Sequence, residues 1–335
     1  MILLSIYSPG LLLALTLALI ASWLGSVFPL IGGPVFGIIL GILISNTFGK
    51  PKNTLKGITF TSKKILQWAI IVLGAGLNLN QVWSTGISSL YVIVFTLSSA
   101  FLAAYGFGKV LRVPVRLTSL IAVGTAICGG SAIAAISPII EAEKNEVAYA
   151  ISTIFLFNIL AVLIFPTIGH LLGFSNQAFG LWAGTAINDT SSVVAAGYAY
   201  SNEAGAYATI VKLTRTTMII PISLLFAVIV SVKKKREAGK GEAIRFSLRK
   251  IFPWFILWFL FASLLNTLGL FNGSSLGYLN LLGKFMIVMA LSAIGLGTDI
   301  KQILKAGVKP LVLGIIVWFV VAIVSILVQF AVGQV

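Results

Sequence analysis

Residues 311–330 read LVLGIIVWFVVAIVSILVQF, twenty consecutive positions without a charged side chain. A helix of about 20 apolar residues spans the hydrocarbon core of a bilayer, so this stretch predicts a transmembrane helix. Comparable apolar runs recur along almost the whole chain, about eleven in all. The predicted spans are 8–28, 32–49, 63–80, 84–107, 117–138, 147–171, 177–199, 204–231, 251–270, 277–299 and 308–333.

The composition of the 335 residues fits a chain whose solvent is mostly lipid. Apolar residues make up 59% of it and charged residues only 9%. Soluble domains carry about 25% charged residues, which this chain lacks. Transmembrane β-barrels show short alternating segments instead of long apolar runs. The predicted fold is therefore an all-α polytopic membrane protein with about 11 transmembrane helices, and residues 1–335 form one transmembrane domain.

The basic residues orient the predicted spans. With the N-terminus inside, 19 of the 23 Lys and Arg residues fall in the even-numbered loops, and the outside loops hold only Lys144. Because cytoplasmic loops are enriched in Lys and Arg, we predict a bacterial inner-membrane protein with a cytoplasmic N-terminus and an outside C-terminus. Residues 232–250 are predicted to form a cytoplasmic linker. Orientation explains the net charge of +15, so no nucleic acid is expected as a partner.

Cysteine and histidine are too scarce for several kinds of site. The single Cys128 excludes an internal disulfide, and the single His170 excludes a multi-histidine metal site. We therefore predict no metal and no cofactor, with Na⁺ or H⁺ as candidate coupling ions. No cleavable signal peptide is expected, because the first apolar run lacks a basic segment before it.

Small and polar residues interrupt two spans at their centres. Span 5 reads GTAICGGSA over 124–132, and span 7 reads GTAINDTSS over 184–192. In lipid, irregular backbone is tolerated only where protein or a watery cavity satisfies it. Close helix packing explains isolated small residues but not five polar side chains in a row. Because exposed amides at a helix break attract anions, we predict that the breaks bind substrate. The residues concerned are Cys128, Gly129, Gly130, Ser131, Asn188, Thr190, Ser191 and Ser192.

Two pairs of similar short segments suggest an internal repeat, but the two pairs imply different registers for it. Gly-Thr-Ala-Ile occurs at 124–127 and again at 184–187, but spans 5 and 7 are predicted to run in the same direction. Lys64 and Lys284 each precede a polar residue by fourteen positions, in spans 3 and 10. Those two spans run in opposite directions, as inverted repeats require.

Three charged residues lie deep in spans 7 and 8. Asp189 and Arg215 each lie thirteen residues from a predicted turn near Asn202, roughly 20 Å at helical rise. Lys212 and Arg215 share one helix face. Burying one such charge costs from about 2.5 to over 10 kcal/mol, so compensation is required.

One carboxylate offsets one cation, which leaves a net positive centre. We therefore predict that Lys212 and Arg215 attract an anion. Asp189, with Asn158, is predicted to balance charge or to bind a coupling ion. A purely structural ion-pair cluster stays open as an alternative.

The same residues resemble the YeiH-type family, whose label is sulfate exporter. The resemblance rests on AICGGSAIAA at 126–135, NDTSSVVAA at 188–196 and VKLTR at 211–215, and it covers nearly the whole chain. A histidine is frequent in that family where this chain has Asn188, which puts a proton-linked role at this position in doubt.

The YeiH-type family is more distantly similar to bile-acid symporters and sodium/proton antiporters. That similarity implies two five-helix inverted repeats, 32–172 and 173–335, after an extra N-terminal helix within 1–31. It also implies two broken helices that cross at mid-membrane, in spans 5 and 10.

Taken together, the residues and the resemblance predict a secondary transporter rather than an enzyme. The expected cargo is a small anion such as sulfate or an organosulfonate. A sodium- or proton-coupled carrier of another organic anion and an anion channel are the alternatives. Membrane lipids and the anion are the expected partners, and a homodimer stays open.

Overall fold

The computed structural model describes residues 2–28, 32–49, 52–238, 253–301 and 307–334, and these residues form helices and no strand. The first helices are α1 (Ile2–Val27), α2 (Gly32–Thr47), α3 (Leu55–Phe60), α4 (Leu66–Gly74) and α5 (Leu79–Val110). The middle of the chain forms α6 (Val115–Val123), α7 (Gly130–Ile136), α8 (Lys144–Leu171), α9 (Asn176–Ala186), α10 (Thr190–Tyr200), α11 (Asn202–Thr217) and α12 (Ile219–Ala238). The last helices are α13 (Phe255–Thr267), α14 (Gly273–Gly297) and α15 (Val308–Val332).

Six segments of the described chain are long and apolar enough to cross a membrane, so the multi-pass all-helical fold is confirmed. They are Ile6–Val27, Leu79–Val110, Lys144–Leu171, Asn202–Val232, Gly273–Gly297 and Val308–Val332. Three shorter apolar segments accompany them: Gly32–Thr47, Val115–Cys128 and Phe255–Thr267. Residues 239–250 of the predicted linker and the start of predicted span 251–270 lie outside the described residues.

The helices pack as two groups, which we call the scaffold and the core. The scaffold contains α1–α4, α13 and α14, and one of its apolar clusters joins Leu17 of α1 to Met289 of α14. The core contains α5–α12 and α15 around a larger apolar cluster. A third cluster brings Val35 of α2 and Leu291 of α14 together with Val194 of α10. The part of the boundary between scaffold and core that this cluster forms is therefore apolar.

Predicted span 7 is a hairpin that enters and leaves on one face. At its two ends, Asn176 Nδ2 donates to Glu203 Oε2 at 2.7 Å, and Ser201 Oγ donates to Asn176 Oδ1 at 2.8 Å. A straight helix would hold residues 176 and 200 about 36 Å apart. Instead α9 and α10 both pack along α11, with the turn at 187–189. We call this the second hairpin, and the face that carries Ser201 is face B.

Predicted span 5 is also a hairpin, formed by α6, a π-helical turn at Gly124–Cys128 and α7. A Cβ on Gly124 would lie 3.0 Å from Ile133 Cδ1, although a straight helix separates these positions by about 13.5 Å. The hairpin starts beside the end of α5, where Thr118 packs on Gly108, and α7 returns to contact α12. We call this the first hairpin, and the face that carries residues 111–114 is face A.

Helix α8 crosses from face A to face B between the two hairpins. It is 28 residues long, about 42 Å, and its Gly169 packs on Phe179 and Tyr200 near face B. The prediction that spans 5 and 7 cross the membrane is therefore wrong, and the direction of span 6 is reversed. All the other spans keep their predicted directions, because two crossings are removed. Average hydropathy does not distinguish a crossing helix from a hairpin of equal length.

The helix breaks differ from the arrangement that the resemblance implies. Span 10 forms one continuous helix, Gly273–Gly297, so the second break lies in span 7. The Gly-Thr-Ala-Ile echo precedes the tip of each hairpin, sixty positions apart. Because the hairpins enter from opposite faces, this echo is compatible with an inverted repeat after all. The division into 32–172 and 173–335 stays a prediction. In the first part the hairpin is the fourth of five predicted spans, and in the second part the hairpin is the first of five.

Close contact between α2 and α14 depends on Gly41 and Gly295. A Cβ on Gly41 would lie 2.5 Å from Ser292 O, and a Cβ on Gly295 would collide with Ile38 O. Small residues let helix backbones approach closely in membranes, where packing rather than the hydrophobic effect holds helices together. The close approach at Gly41 and Gly295 therefore fixes the distance between α2 and α14 in the scaffold.

We expect Gly41→Ala to lower the thermal unfolding midpoint of the purified protein, because overpacking a tight contact costs about 1–3 kcal/mol. Gly277→Ala is the matched control on α14, since a Cβ there meets nothing within 4 Å. Scanning fluorimetry in detergent compares the variants. Equal midpoints for the two variants would contradict the close contact.

Candidate functional site

The tips of the two hairpins meet inside the core. Gly129, at the first tip, has φ 65° and ψ −127°, a backbone conformation that glycine adopts most readily. A Cβ at this position would lie 3.1 Å from Asp189 Cβ of the second tip. Both the backbone conformation and the close approach therefore require glycine here.

Lys212 of α11 holds the ends of both tips. Its side chain is fully buried, and Nζ donates to Ile127 O at 2.8 Å, to Ile187 O at 3.0 Å and to Asn188 O. A lysine ammonium has three N–H donors, and all three are used. Lys212 therefore binds backbone carbonyls of the first hairpin and of the second hairpin together.

Arg215 lies one turn further along α11 and makes the same kind of contacts. It is fully buried; Nε donates to Ala126 O at 2.7 Å, and Nη2 donates to Thr125 O. Nη1 donates to Ile187 O at 3.1 Å and to Gly184 O at 3.4 Å. The C-terminal carbonyls of a helix carry about half a negative charge in total, and cations stabilise them. The two cations thus cap the helical segments that lead into both tips.

Asp189 faces the beginning of α10 rather than the two cations. Its Oδ1 accepts from Ser192 N at 2.7 Å and from Ser191 Oγ at 2.7 Å, and Oδ2 accepts from Ser192 Oγ at 3.1 Å. Asp189 is therefore the N-cap of α10. Within the described residues it makes no ion pair with Lys212 or Arg215. The predicted group of three charges exists, but helix ends separate its members.

Several buried polar atoms beside the tips have no hydrogen-bond partner among the described residues. They are Nδ2 and Oδ1 of Asn188, Nδ2 of Asn158 and Oγ1 of Thr125. Asn188 is fully buried and Asn158 is 2% exposed, while Asn158 Oδ1 accepts from Asp189 N at 3.3 Å. Buried polar groups are normally paired, and an unpaired one calls for a bound water, ion or ligand. These atoms mark a place where a polar ligand would gain partners.

Other polar groups at the tips are accessible. Ser131 is exposed, and Gly130, Thr190 and Ser191 are partly exposed. The amides that begin α10 point toward the tip region, where helix dipoles favour negative charge. In the described part of the chain, no three His, Cys, Asp or Glu side chains could together hold a metal ion.

The structure brings all the predicted site residues to this one region. Cys128, the last residue before the first tip, is buried in the apolar core cluster. The orientation of Lys212 and Arg215 differs from the prediction, because their donors bind carbonyls instead of facing an open site. Sequence reasoning missed the carbonyls of Thr125, Ala126, Ile127, Gly184 and Ile187 and the side chain of Thr125. Backbone carbonyls leave no residue-type signal, although the repeated Gly-Thr-Ala-Ile marks where they lie.

Comparison with known proteins gives a consistent set of relatives. A family model described as conserved hypothetical protein 698 matches residues 9–314. The UPF0324 membrane protein spyM18_1033 of Streptococcus pyogenes serotype M18 is 50% identical over 333 residues, which cover 97% of each chain. The UPF0324 membrane protein FN0533 of Fusobacterium nucleatum is 47% identical over 344 residues, 97% of this chain and 98% of that one. A UPF0324 membrane protein of Clostridium tetani is 45% identical over 339 residues, 98% of each.

We expect Lys212→Met to lower the unfolding midpoint strongly in every buffer, with or without anions. Removing the ammonium takes this donor away from Ile127 O and Asn188 O, while Ile187 O keeps its hydrogen bond from Arg215 Nη1. Each buried group left unpaired costs about 1–3 kcal/mol. Lys144→Met is the control, because Lys144 is exposed at the start of α8. If Lys212→Met matched the control in anion-free buffer and differed only with anion present, Lys212 would contact the anion rather than hold the tips.

Proposed function

From the premise that the chain belongs to the YeiH-type family, described as conserved hypothetical protein 698, we propose that it is a secondary transporter of a small anion. The observation that carries the proposal is the meeting of two hairpins that enter from opposite faces. Backbone that is irregular at membrane depth is tolerated where it lines a cavity. Many secondary transporters place substrate between such broken helices at the middle of the membrane.

The anion is proposed to bind where the tips offer donors without partners. Nδ2 of Asn188 and Nδ2 of Asn158 are buried N–H donors, and the amides at the start of α10 add a favourable dipole. The hydroxyls of Ser131 and Thr190 are accessible at the same place. A sulfate or sulfonate group presents several acceptor oxygens and stays ionised at neutral pH. Sulfate or an organosulfonate is therefore the proposed substrate class, in line with the family label.

Lys212 and Arg215 act on the anion at a distance in this proposal. With Asp189 they leave one net positive charge in a water-poor region, where Coulomb interactions are several times stronger than in water. Their direct hydrogen bonds fix the tip carbonyls that would otherwise repel an anion. Asp189 balances one cation, and with Asn158 it is the proposed place for coupling to Na⁺ or H⁺.

Alternating access is proposed to come from movement of the core against the scaffold. The interface between Val35, Leu291 and Val194 is apolar, so its members can slide without breaking buried hydrogen bonds. Both hairpins belong to the core and would move as one body with α11, because Lys212 joins them. Such a movement would carry the tip region toward either face.

Face A is proposed to be cytoplasmic. In the described chain it carries Lys109, Arg112, Arg116 and Lys144 at or next to helix ends. The connections at 172–175, 201 and 268–272 contain no Lys or Arg. Short cytoplasmic loops are enriched in these residues, so the N-terminus is proposed to lie inside a bacterial inner membrane.

Sodium sulfate should raise the unfolding midpoint of the purified protein above that in sodium chloride of equal ionic strength. A ligand at one hundred times its dissociation constant stabilises the folded state by about 2.7 kcal/mol. Asn188→Leu should clearly reduce this shift while leaving the anion-free midpoint unchanged or higher, because the amide it removes has no partner among the described residues. Asn80→Leu, at an exposed position on α5, should keep the full shift. A midpoint that rises when sodium chloride replaces potassium chloride, but does not respond to sulfate, would overturn the anion site.

Measurements of sulfate flux distinguish a carrier from an anion channel. In proteoliposomes, unlabelled sulfate inside should accelerate the uptake of labelled sulfate, because a carrier returns faster when loaded. Thr190→Val should reduce this exchange at least tenfold, and the Asn80→Leu variant should not. A rate of labelled sulfate uptake that does not depend on internal sulfate would contradict a carrier and indicate a channel.

A further inference from the structure

On face B a cavity of about 420 Å³ lies between the scaffold and the core. The scaffold side contributes Asn280 and Lys284 of α14, and the core side contributes the second hairpin and α11. Its polar lining consists of the amides Gln81, Gln177, Asn202 and Asn280, the phenols Tyr198 and Tyr207, and the charged residues Glu203 and Lys284. The cavity therefore lies at the boundary across which the two groups are proposed to move, well away from the tip at Asp189.

Lys284 is the unusual member of this lining. It is the twelfth of the 25 residues of α14, a helix long and apolar enough to cross the membrane. Nζ lies 6.0 Å from the centroid of the Tyr198 ring, and no described carboxylate lies within 4.0 Å of it. The nearby acid in the lining, Glu203, already accepts a hydrogen bond from Asn176.

An ionisable residue within a membrane-spanning helix is costly and usually pairs with something. The tip cations, Lys212 and Arg215, meet that need with backbone carbonyls, but Lys284 has no such partners among the described residues. The side-chain amides of Gln81, Gln177, Asn202 and Asn280 supply further N–H donors around the same space. A cation surrounded by amide donors is suited to a multivalent acceptor with negative charge.

We infer that Lys284 is the cation of a second anion site, a vestibule on face B that binds an oxyanion separately from the hairpin tips. The identity of the anion rests on the proposed function, whereas the existence of the site rests on the cavity and on Lys284. A lipid phosphate would offer the same chemistry. Lys284 also borders a separate apolar pocket with Leu281 and Phe285, where a lipid chain would fit. The lining of the cavity itself is richer in amides and hydroxyl groups, which favours an anion from solution there.

Pyridoxal 5′-phosphate followed by borohydride tests this site, because the reagent carries a phosphate to lysines near anion sites and fixes it there. Labelling of the purified full-length chain at each lysine is measured by peptide mass spectrometry. Sodium sulfate, compared with sodium chloride at equal ionic strength, should reduce labelling of Lys284 at least fivefold. Labelling of Lys144, exposed on face A, should not change and serves as the internal control.

Three outcomes would overturn the inference. Sulfate has no more effect on Lys284 than on Lys144; phosphatidylglycerol protects Lys284 where sulfate does not; or protection disappears in Asn188→Leu, which would mean that Lys284 reports the tip site. Protection of Lys284 by sulfate, together with a sulfate shift in the midpoint that Asn188→Leu leaves unchanged, would leave this site standing while the proposed tip site fails.

Transport gives a second, directional readout. Lys284→Gln should raise the KM for uptake from face B about tenfold, equivalent to about 1.4 kcal/mol, and leave the KM from face A unchanged. Lys284→Arg, which keeps the charge, should restore most of the affinity. An equal rise of KM from both faces would contradict a vestibule on face B.

Discussion

The rest of this structure depends on how two interrupted helices keep their backbone carbonyls satisfied inside a membrane. A helix that stops in lipid leaves carbonyls without partners, and no water is available to bind them. Here two such ends are placed side by side, and the single helix α11 supplies Lys212 and Arg215 to both. Lys212 and Arg215, which the sequence suggests as ligand-binding residues, therefore act first as a joint: their hydrogen bonds to both hairpins hold the two tips together.

This joint sets the electrostatics of the region. Two buried cations are largely offset by carbonyl dipoles, and Asp189 is offset by the amides of α10, so each charge has local compensation. Three buried groups beside the tips have no complete set of partners among the described residues: the side-chain amide of Asn188, Nδ2 of Asn158 and the hydroxyl of Thr125. These unpaired atoms include both donors and acceptors, so a polar ligand would find hydrogen-bond partners here without any change to the bonds that hold the tips.

The sequence supports much of the fold and misses one decisive feature. Long apolar runs such as 311–330 identify the helices, and the glycines and polar residues at 129–131 and 188–192 identify the breaks. All predicted site residues converge because breaks in lipid need partners, and charged residues deep in spans are the available ones. The path of spans 5 and 7 was not predictable, because 22 to 25 mostly apolar residues suffice either for one crossing or for a hairpin of two half-length helices. The direction in which Lys212 and Arg215 point was likewise hidden, since their acceptors are carbonyls.

The two hairpins also differ in a way that locates the chemistry. Both approach their tips through Gly-Thr-Ala-Ile, and carbonyls of both strings accept hydrogen bonds from α11, although the first string is π-helical and the second ends α9 with Ile187 extended. Beyond that point the first hairpin continues with Cys128, Gly129 and Gly130, and the second with Asn188, Asp189 and Thr190. Gly129 and Gly130 carry no side chain, which lets Asp189 approach Gly129 closely, whereas the second tip carries a polar side chain at every position from 188 to 192. The two hairpins therefore share the sequence that α11 binds and differ in the polar side chains that follow it, most of which belong to the second hairpin.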